Sequence, residues 1–352
     1  MDFLNKITKN TAPYVPGEQP KNVEGLIKIN TNENPYPPSP KVAEAIAAEL
    51  PRLPLYPDTR AGEACRAFSE VYSVPESRVF CANGSDEVLA FAYMAFWDAE
   101  RPLVTPALGY SFYPVYAERF EVPLETVTMR GELEVDVDAL CAAKGGVIIA
   151  NPNAPTSIML PLSDIRRILL AHSSDVVLVD EAYADFGGES AMKLIGEFPN
   201  LLVVRTLSKS HSLAGLRVGF AVGQEHLIDG LERVKNTFNS YTIDRLANVG
   251  AAAALRDRDH FAKNLAAVIA TRDRVTAELL ALGFELPWSS TNFLFAKHPQ
   301  FSGEALFSEL RDENIIVRRF ATPALRDYLR ISIGTDSEMD RLVKSVSTAV
   351  GK

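Results

Sequence analysis

The chain has 352 residues, 47% of them hydrophobic, and 36 Lys and Arg against 45 Asp and Glu give a net charge of −9. That length buries a substantial core and divides into one large and one smaller domain, while the acidic balance without a basic block excludes nucleic acid and anionic membrane as partners of the whole surface. Three cysteines without Cys-x-x-Cys spacing and five scattered histidines exclude a disulfide framework and a protein-built metal site; the first residues lack the apolar run of a signal peptide, which points to the cytoplasm.

Residues 1–38, with Ala12-Pro-Tyr-Val-Pro-Gly17 and Asn30-Thr-Asn-Glu-Asn-Pro-Tyr-Pro-Pro38, read as an extended arm that packs on something else. Ser39-Pro40 opens a helix with a cap and a first-turn proline, and Val42, Ile46 and Leu50 follow on one face until Pro51 and Pro54 end it. Asn83-Gly-Ser-Asp-Glu87 then feeds a helix bearing Val88, Phe91, Ala92, Ala95 and Phe96. Its free backbone amides suit a phosphate, and Gly84 removes bulk where one would approach. A plain capped helix is the competing reading.

From about residue 100 to 220, apolar runs alternate with helical stretches, the pattern of a mostly parallel sheet covered on both faces. Within it, three strand ends carry chemistry. Gly146–Ala150 runs into Asn151-Pro-Asn-Ala-Pro-Thr-Ser157, where Asn151 or Asn153 offers an amide. Asp175–Val179 ends at Asp180, an acid that can hold a pyridine nitrogen protonated or simply cap a helix. Leu201–Val204 leads into Arg205-Thr-Leu-Ser-Lys209, with Arg217 eight residues on; Lys209 can condense with a carbonyl while Ser208 and Arg217 hold a phosphate. Amide, carboxylate and amine at the carboxyl ends of neighbouring strands point to pyridoxal phosphate. A loop lysine of a non-catalytic ligand-binding protein is the bland alternative.

A helix over 260–282, stopped by Gly283, is read as the bridge to a small α+β domain with strands at 292–295, 315–317 and 329–333 and a final helix bearing Met339, Leu342, Val343 and Val346. Arg330 sits in a strand interior, where a guanidinium needs an anion, either a substrate group or a carboxylate in a salt bridge. The expected division is an arm at 1–38, a large domain at 39–259 and a small domain at 260–352.

With these residues placed, the chain resembles the fold type I pyridoxal phosphate-dependent aminotransferases, and among them the branch acting on histidinol phosphate. The likeness spans nearly the whole chain and is carried by the arm motifs, Tyr56-Pro-Asp58, Asn83-Gly-Ser-Asp-Glu87, Tyr110-Ser-Phe-Tyr-Pro-Val-Tyr-Ala117, Asn151-Pro-Asn-Ala-Pro-Thr156, Val179-Asp-Glu-Ala-Tyr183, Arg205-Thr-Leu-Ser-Lys209 and Leu329-Arg-Ile-Ser-Ile-Gly-Thr335. It implies that Lys209 binds the cofactor aldehyde covalently, that Asp180 pairs with the ring nitrogen, that Asn153 and Tyr183 contact the ring oxygen, and that Tyr110 stacks on the ring. It implies a phosphate held by the backbone of Ser85 and Asp86, by Ser208 and Arg217, and by Tyr56 of a second subunit in a homodimer. Tyr14, Asn32 and Arg330 would select the substrate. The implied reaction moves an amino group between L-histidinol phosphate and 2-oxoglutarate, giving imidazole acetol phosphate and glutamate, with an aromatic aminotransferase or a threonine-phosphate decarboxylase as alternatives. Ser157 stands where that family usually has Gly, which puts in doubt a turn of positive φ, and Phe220 where Tyr is frequent.

Overall fold

The computed structural model describes residues 3–12, 14, 16–20 and 24–351, so Pro13 and Val15 of the first arm motif lie outside the described residues. The arm contains helix α1 (Lys6–Asn10) and strand β1 (Ile27–Lys28), which pairs in parallel with Ile315–Ile316 near the other end of the chain. Helix α2 (Pro40–Glu49) starts as its sequence predicts: Ser39 Oγ accepts from the Lys41 N–H, and Pro40 fills a position whose N–H has no helical partner. Val42 is buried and Ile46 half-buried, but Leu50 is exposed, because the chain tightens at Leu50–Arg52 into a 3-10 turn containing Pro51.

Helix α3 (Gly62–Tyr72) precedes strand β2 (Val79–Asn83), which runs straight into α4 (Gly84–Phe96). There follow β3 (Leu103–Pro106), α5 (Phe112–Arg119), β4 (Leu124–Val127), a hairpin of β5 (Met129–Arg130) and β6 (Glu134–Val135), α6 (Val137–Ala142), β7 (Gly146–Ala150), α7 (Leu162–Ala171), β8 (Val177–Asp180), β9 (Leu201–Thr206) and β10 (Val218–Gly223). The central sheet has the order β2-β10-β9-β8-β7-β3-β4; β10 is antiparallel to both neighbours and the remaining pairs are parallel. Side chains alternate between its faces: Val79, Val147, Ile149, Val177, Val179 and Val203 join one apolar cluster, while Phe80, Ile148, Leu178, Leu202 and Val204 join another. Every residue of β8, β9 and β10 is buried, as strands covered on both faces must be.

Helices α8 (Glu225–Phe238) and α9 (Arg245–Arg256) lead to the long α10 (Arg258–Leu282), which ends where Gly283 takes φ 95. Beyond it lie β11 (Phe293–Ala296), α11 (Gly303–Asp312), β12 (Ile315–Ile316), β13 (Arg318–Arg319), β14 (Leu329–Ser332) and α12 (Asp336–Ala349), whose start is fixed by a reciprocal Thr335/Glu338 capping box. Strands β11-β14-β13 form an antiparallel sheet, whereas β12 belongs to the arm's strand β1. Arg311 adds a two-pronged ion pair to Glu18, at 2.7 and 2.8 Å, and so the arm is stitched to the C-terminal elements. Among the described residues no helix is long and apolar enough to cross a membrane.

Candidate active site

A cavity of about 620 Å³ opens at the carboxyl ends of β3, β7, β8 and β9, walled on its other side by the arm and the β13–β14 pair. Its acid is Asp180, the last residue of β8 and 5% exposed. Tyr113 Oη donates to one carboxylate oxygen at 3.0 Å and the Ala182 N–H to the other at 3.2 Å. Burial nevertheless outweighs these bonds and pushes the Asp180 pKa up to about 6.

Lys209 comes from the loop after β9. Its Nζ donates to the Thr31 carbonyl at 3.3 Å and lies 5.8 Å from the centre of the Tyr183 ring, and among the described residues no carboxylate comes within ion-pair distance of it. Tyr183 Oη accepts from Asn32 Nδ2 at 2.9 Å, which leaves its own hydrogen for another acceptor. Asn32, at φ 56, is itself pinned: Ser332 Oγ donates to its Oδ1 at 2.9 Å, and Asn292 Nδ2 donates to its carbonyl at 3.0 Å.

At the opposite corner the first turn of α4 presents Ser85 and Asp86 beside Ser208 and Arg217. Arg217 takes φ 55 and its Nη2 donates to Asp86 Oδ2 at 3.2 Å; Tyr110 Oη donates to the other oxygen at 3.1 Å. Two glycines permit this convergence. A Cβ on Gly84 would lie 2.5 Å from Arg217 Nη2, and one on Gly219 would lie 2.4 Å from the Ser85 nitrogen. Thr206 Oγ1, on the last residue of β9, donates to Ser208 Oγ at 3.0 Å and holds that hydroxyl at the cavity wall.

The arm-side wall carries Tyr14, tilted against Phe112 at 4.6 Å, and two arginines. Arg318 and Arg330 stand directly opposite each other in the β13–β14 ladder, both on the cavity, and among the described residues neither pairs with a carboxylate. Arg330 lies 5.4 Å from the centre of the Phe293 ring, its Nη2 donates to the Asn30 carbonyl at 3.0 Å, and its buried Nε has no partner. Burial, with Arg318 beside it, pulls the Arg330 pKa down, as expected for a cation missing its anion.

Most of the sequence-predicted residues therefore meet around one space: Tyr14, Asn32, Ser85, Asp86, Tyr110, Asp180, Tyr183, Ser208, Lys209, Arg217 and Arg330 all line it. Two do not. Asn153 is buried off the wall, with both amide hydrogens committed to Leu108 O at 2.9 Å and Thr156 Oγ1 at 3.0 Å; Asn151 staples the same loop to Leu160. Tyr56 is 80% exposed and stacks on Tyr241 outside the cavity. Ser157 does adopt the left-handed turn, at φ 65, with its hydroxyl buried and unpartnered, and Phe220 packs 4.6 Å from Phe68 with no need for a hydroxyl. Sequence reasoning missed Tyr113, Thr206 and Arg318. Strand alternation could have found Arg318, since it precedes Phe320 by two positions in Val317-Arg-Arg-Phe320; Tyr113 carries no local signal for its contact with Asp180.

The family model for aminotransferase class I and II matches residues 24–346. The chain belongs to that family. Among curated relatives, this aminotransferase is 49% identical over 349 residues to the histidinol-phosphate aminotransferase of Clostridium acetobutylicum, covering 99% of each chain. It is 50% identical over 346 residues to histidinol-phosphate aminotransferase 2 of Thiobacillus denitrificans, covering 98% of this chain and 97% of that one. The fold matches the crystal structure of histidinol-phosphate aminotransferase from Sinorhizobium meliloti in complex with pyridoxal-5'-phosphate, with TM-score 0.84, 24% identity and coverage of 92% and 90%.

Proposed function

We propose that this aminotransferase moves an amino group between L-histidinol phosphate and 2-oxoglutarate, giving imidazole acetol phosphate and glutamate in histidine biosynthesis. The observation that carries the substrate is the Arg318–Arg330 pair. Like charges directly opposite in a ladder repel, and two facing guanidiniums, that of Arg330 desolvated, with no carboxylate partner among the described residues call for a ligand of high negative charge. A phosphate dianion meets both; so does the distal carboxylate of the second substrate. The relatives near half identity carry the same activity in their names.

The cavity fits pyridoxal phosphate. Its buried acid, its amine with no carboxylate at ion-pair distance among the described residues, and the glycine-cleared corner of α4 amides, Ser208 and Arg217 suit the cofactor's ring nitrogen, aldehyde and phosphate. When bound, this cofactor supplies an aldehyde that takes up the amino group and a ring that draws off carbanion charge. Lys209 would hold the cofactor through its aldehyde, and its Nζ, when free, would take the proton from the donor carbon that bears the amine. Asp180, held by Tyr113 and the Ala182 N–H, would keep a proton on the ring nitrogen; burial raises its pKa, and a cation beside it would favour its charged form. Tyr183, with its hydrogen free, is the better-placed donor to the ring oxygen, since Asn153 would first have to release Leu108 or Thr156. Tyr110, whose Oη donates to Asp86, would stack on the ring.

The dimer and domain boundaries are part of this proposal. Exposed Leu50, Leu53, Leu55, Tyr56, Phe238 and Tyr241 give an apolar face through which a second copy would dock, bringing Tyr56 to the cofactor phosphate of its neighbour. The arm at 1–38 closes a large domain at 39–259 against a small one at 260–352, and the compartment is the cytoplasm. The deciding experiment compares histidinol phosphate, phenylalanine, tyrosine and threonine phosphate as donors with 2-oxoglutarate. Strong preference for histidinol phosphate supports the reading; carbon dioxide release from threonine phosphate, or preference for an aromatic amino acid, contradicts it.

A further inference from the structure

Behind Lys209, on the face of β9 turned away from the cavity, lies a polar chain that the proposed chemistry leaves unused. Side chains alternate along the strand, so Thr206 lines the cavity while Arg205 points into the interior, 5% exposed. Arg205 Nη1 donates to Glu181 Oε2 at 3.0 Å, and its Nη2 donates to Asp185 Oδ1. The other Asp185 oxygen accepts the Ser210 hydroxyl at 2.5 Å. Burial alone would raise the Asp185 pKa, but Arg205, His211 and Ser210 together hold it below the ordinary range, so it stays an acceptor.

Glu181 follows Asp180 in the chain and Ser210 follows Lys209. Three contacts, one buried and two partly buried, thus join the acid to the amine beyond the β8–β9 ladder, whose last register pair is Asp180 with Val204. From the arm side, Asn34 Nδ2 donates to the Lys209 carbonyl at 3.0 Å. We propose that Ser210, anchored on Asp185 and through it on Arg205, is a positioning residue that fixes Lys209 against Asp180, an inference resting on the role given to Lys209 above.

Ser210→Ala deletes this link and leaves the Arg205–Asp185 pair in place. The expected result is a kcat lower by about tenfold with donor KM within about twofold, because a misplaced amine slows chemistry more than binding. The pH midpoint of the visible absorbance of lysine-bound cofactor should move by about half a unit, and Ser210→Thr, which keeps the hydroxyl, should restore both. A folded Ser210→Ala protein with unchanged midpoint and kcat overturns the proposal. Should that variant fail to fold, Asp185→Asn carries the same expectation, and an unchanged midpoint there overturns it equally. Wild-type protein without lysine-bound absorbance would instead sink the role of Lys209 itself.

A separate pair of atoms carries a second inference. The Ser210 hydrogen is spent on Asp185, so His211 Nδ1, 3.1 Å from Ser210 Oγ, is the donor of that contact. Burial pushes the ring's pKa down to about 4, which leaves Nε2 a bare acceptor near neutrality. His211 Nε2 and Ser212 Oγ are buried without a protein partner, and both residues line a cavity of about 10 Å³ together with His260 and Asn264 of α10. Ser212 keeps φ 59, which glycine would adopt at less cost, so the hydroxyl is what the position gains.

We infer that this cavity, between the Lys209 loop and α10, binds one water, which donates to His211 Nε2 and accepts from Ser212 Oγ. The volume admits about one molecule. A high-resolution crystal structure of the cofactor-loaded enzyme should show solvent density within about 3.2 Å of both atoms. Clear density for the surrounding side chains with none in the cavity overturns the inference.

Discussion

The two walls of the cavity are built in different ways. On one side, Asp180 ends β8 and Lys209 stands in the loop just after the adjacent parallel strand β9; every residue of both strands is buried, and their ladder runs up to Asp180 and Val204. On the other, Asn32, Ser332, Arg318 and Arg330 meet through contacts between segments some 300 positions apart, such as the Ser332–Asn32 bond. In the proposed function, reaction chemistry is assigned to the stiff wall and substrate choice to the stitched one. Each can be perturbed without the other, and the size of the effect should separate them.

The largest expected effect is on the stiff wall. Lys209→Ala should lower kcat by about 10⁴-fold or more, because it removes both the covalent anchor and the proton carrier. Its melting temperature should stay close to that of the parent; steady-state transamination preserved in this variant would break the division between the walls.

Asp180→Asn comes next, with kcat reduced by about 10² to 10³-fold and donor KM little changed, since the acid acts on the reacting ring and not on the substrate. The same residue has a signature in cofactor-free protein. Its pKa is raised from 3.8 to about 6, so the folded form keeps the proton to higher pH than the unfolded chain. Between about pH 4 and 6 its contribution to stability therefore falls as pH rises, by about 3 kcal/mol in all. Denaturation of wild type and Asp180→Asn across that window should show the variant gaining on wild type as pH increases, with the difference levelling above about pH 6.

On the stitched wall, Arg318→Met and Arg330→Met should each raise KM for histidinol phosphate by about ten- to a hundredfold, with a smaller change in kcat. Equal loss of kcat and kcat/KM would mean that the arginines serve the reaction step and not substrate capture. The smallest effect belongs to neither wall. Ser157→Gly relieves a left-handed backbone and removes an unpartnered buried hydroxyl, and should stabilise the protein by about 1 kcal/mol in thermal unfolding with activity unchanged.

This contrast also explains what the sequence disclosed. Lys209 and Asp180 were legible because one follows and the other ends an apolar run, and strand ends are local features. Ser39-Pro40, Gly283 and the start of α4 at Asn83–Glu87 were legible for the same reason: each is chemistry within a few residues. What stayed hidden depends on distant partners. Nothing near Tyr113 indicates that its hydroxyl serves Asp180, and nothing near Ile315 indicates that its strand pairs with the arm and not with β14. The Asn153 amide shows the same dependence on partners outside its own motif. Its place after a strand end suggested a cavity-facing donor, but the loop folds so that its hydrogens serve Leu108 and Thr156. Ser157 was a doubt about backbone strain, and the turn forms despite it.

The central claim is that Lys209, among all the lysines of the chain, meets the cofactor aldehyde above Asp180. Borohydride reduction of the cofactor-loaded enzyme followed by peptide mass mapping tests it most directly. A phosphopyridoxyl mass confined to the peptide containing Lys209 is the expected result; the same mass on another lysine, or on none, would contradict it.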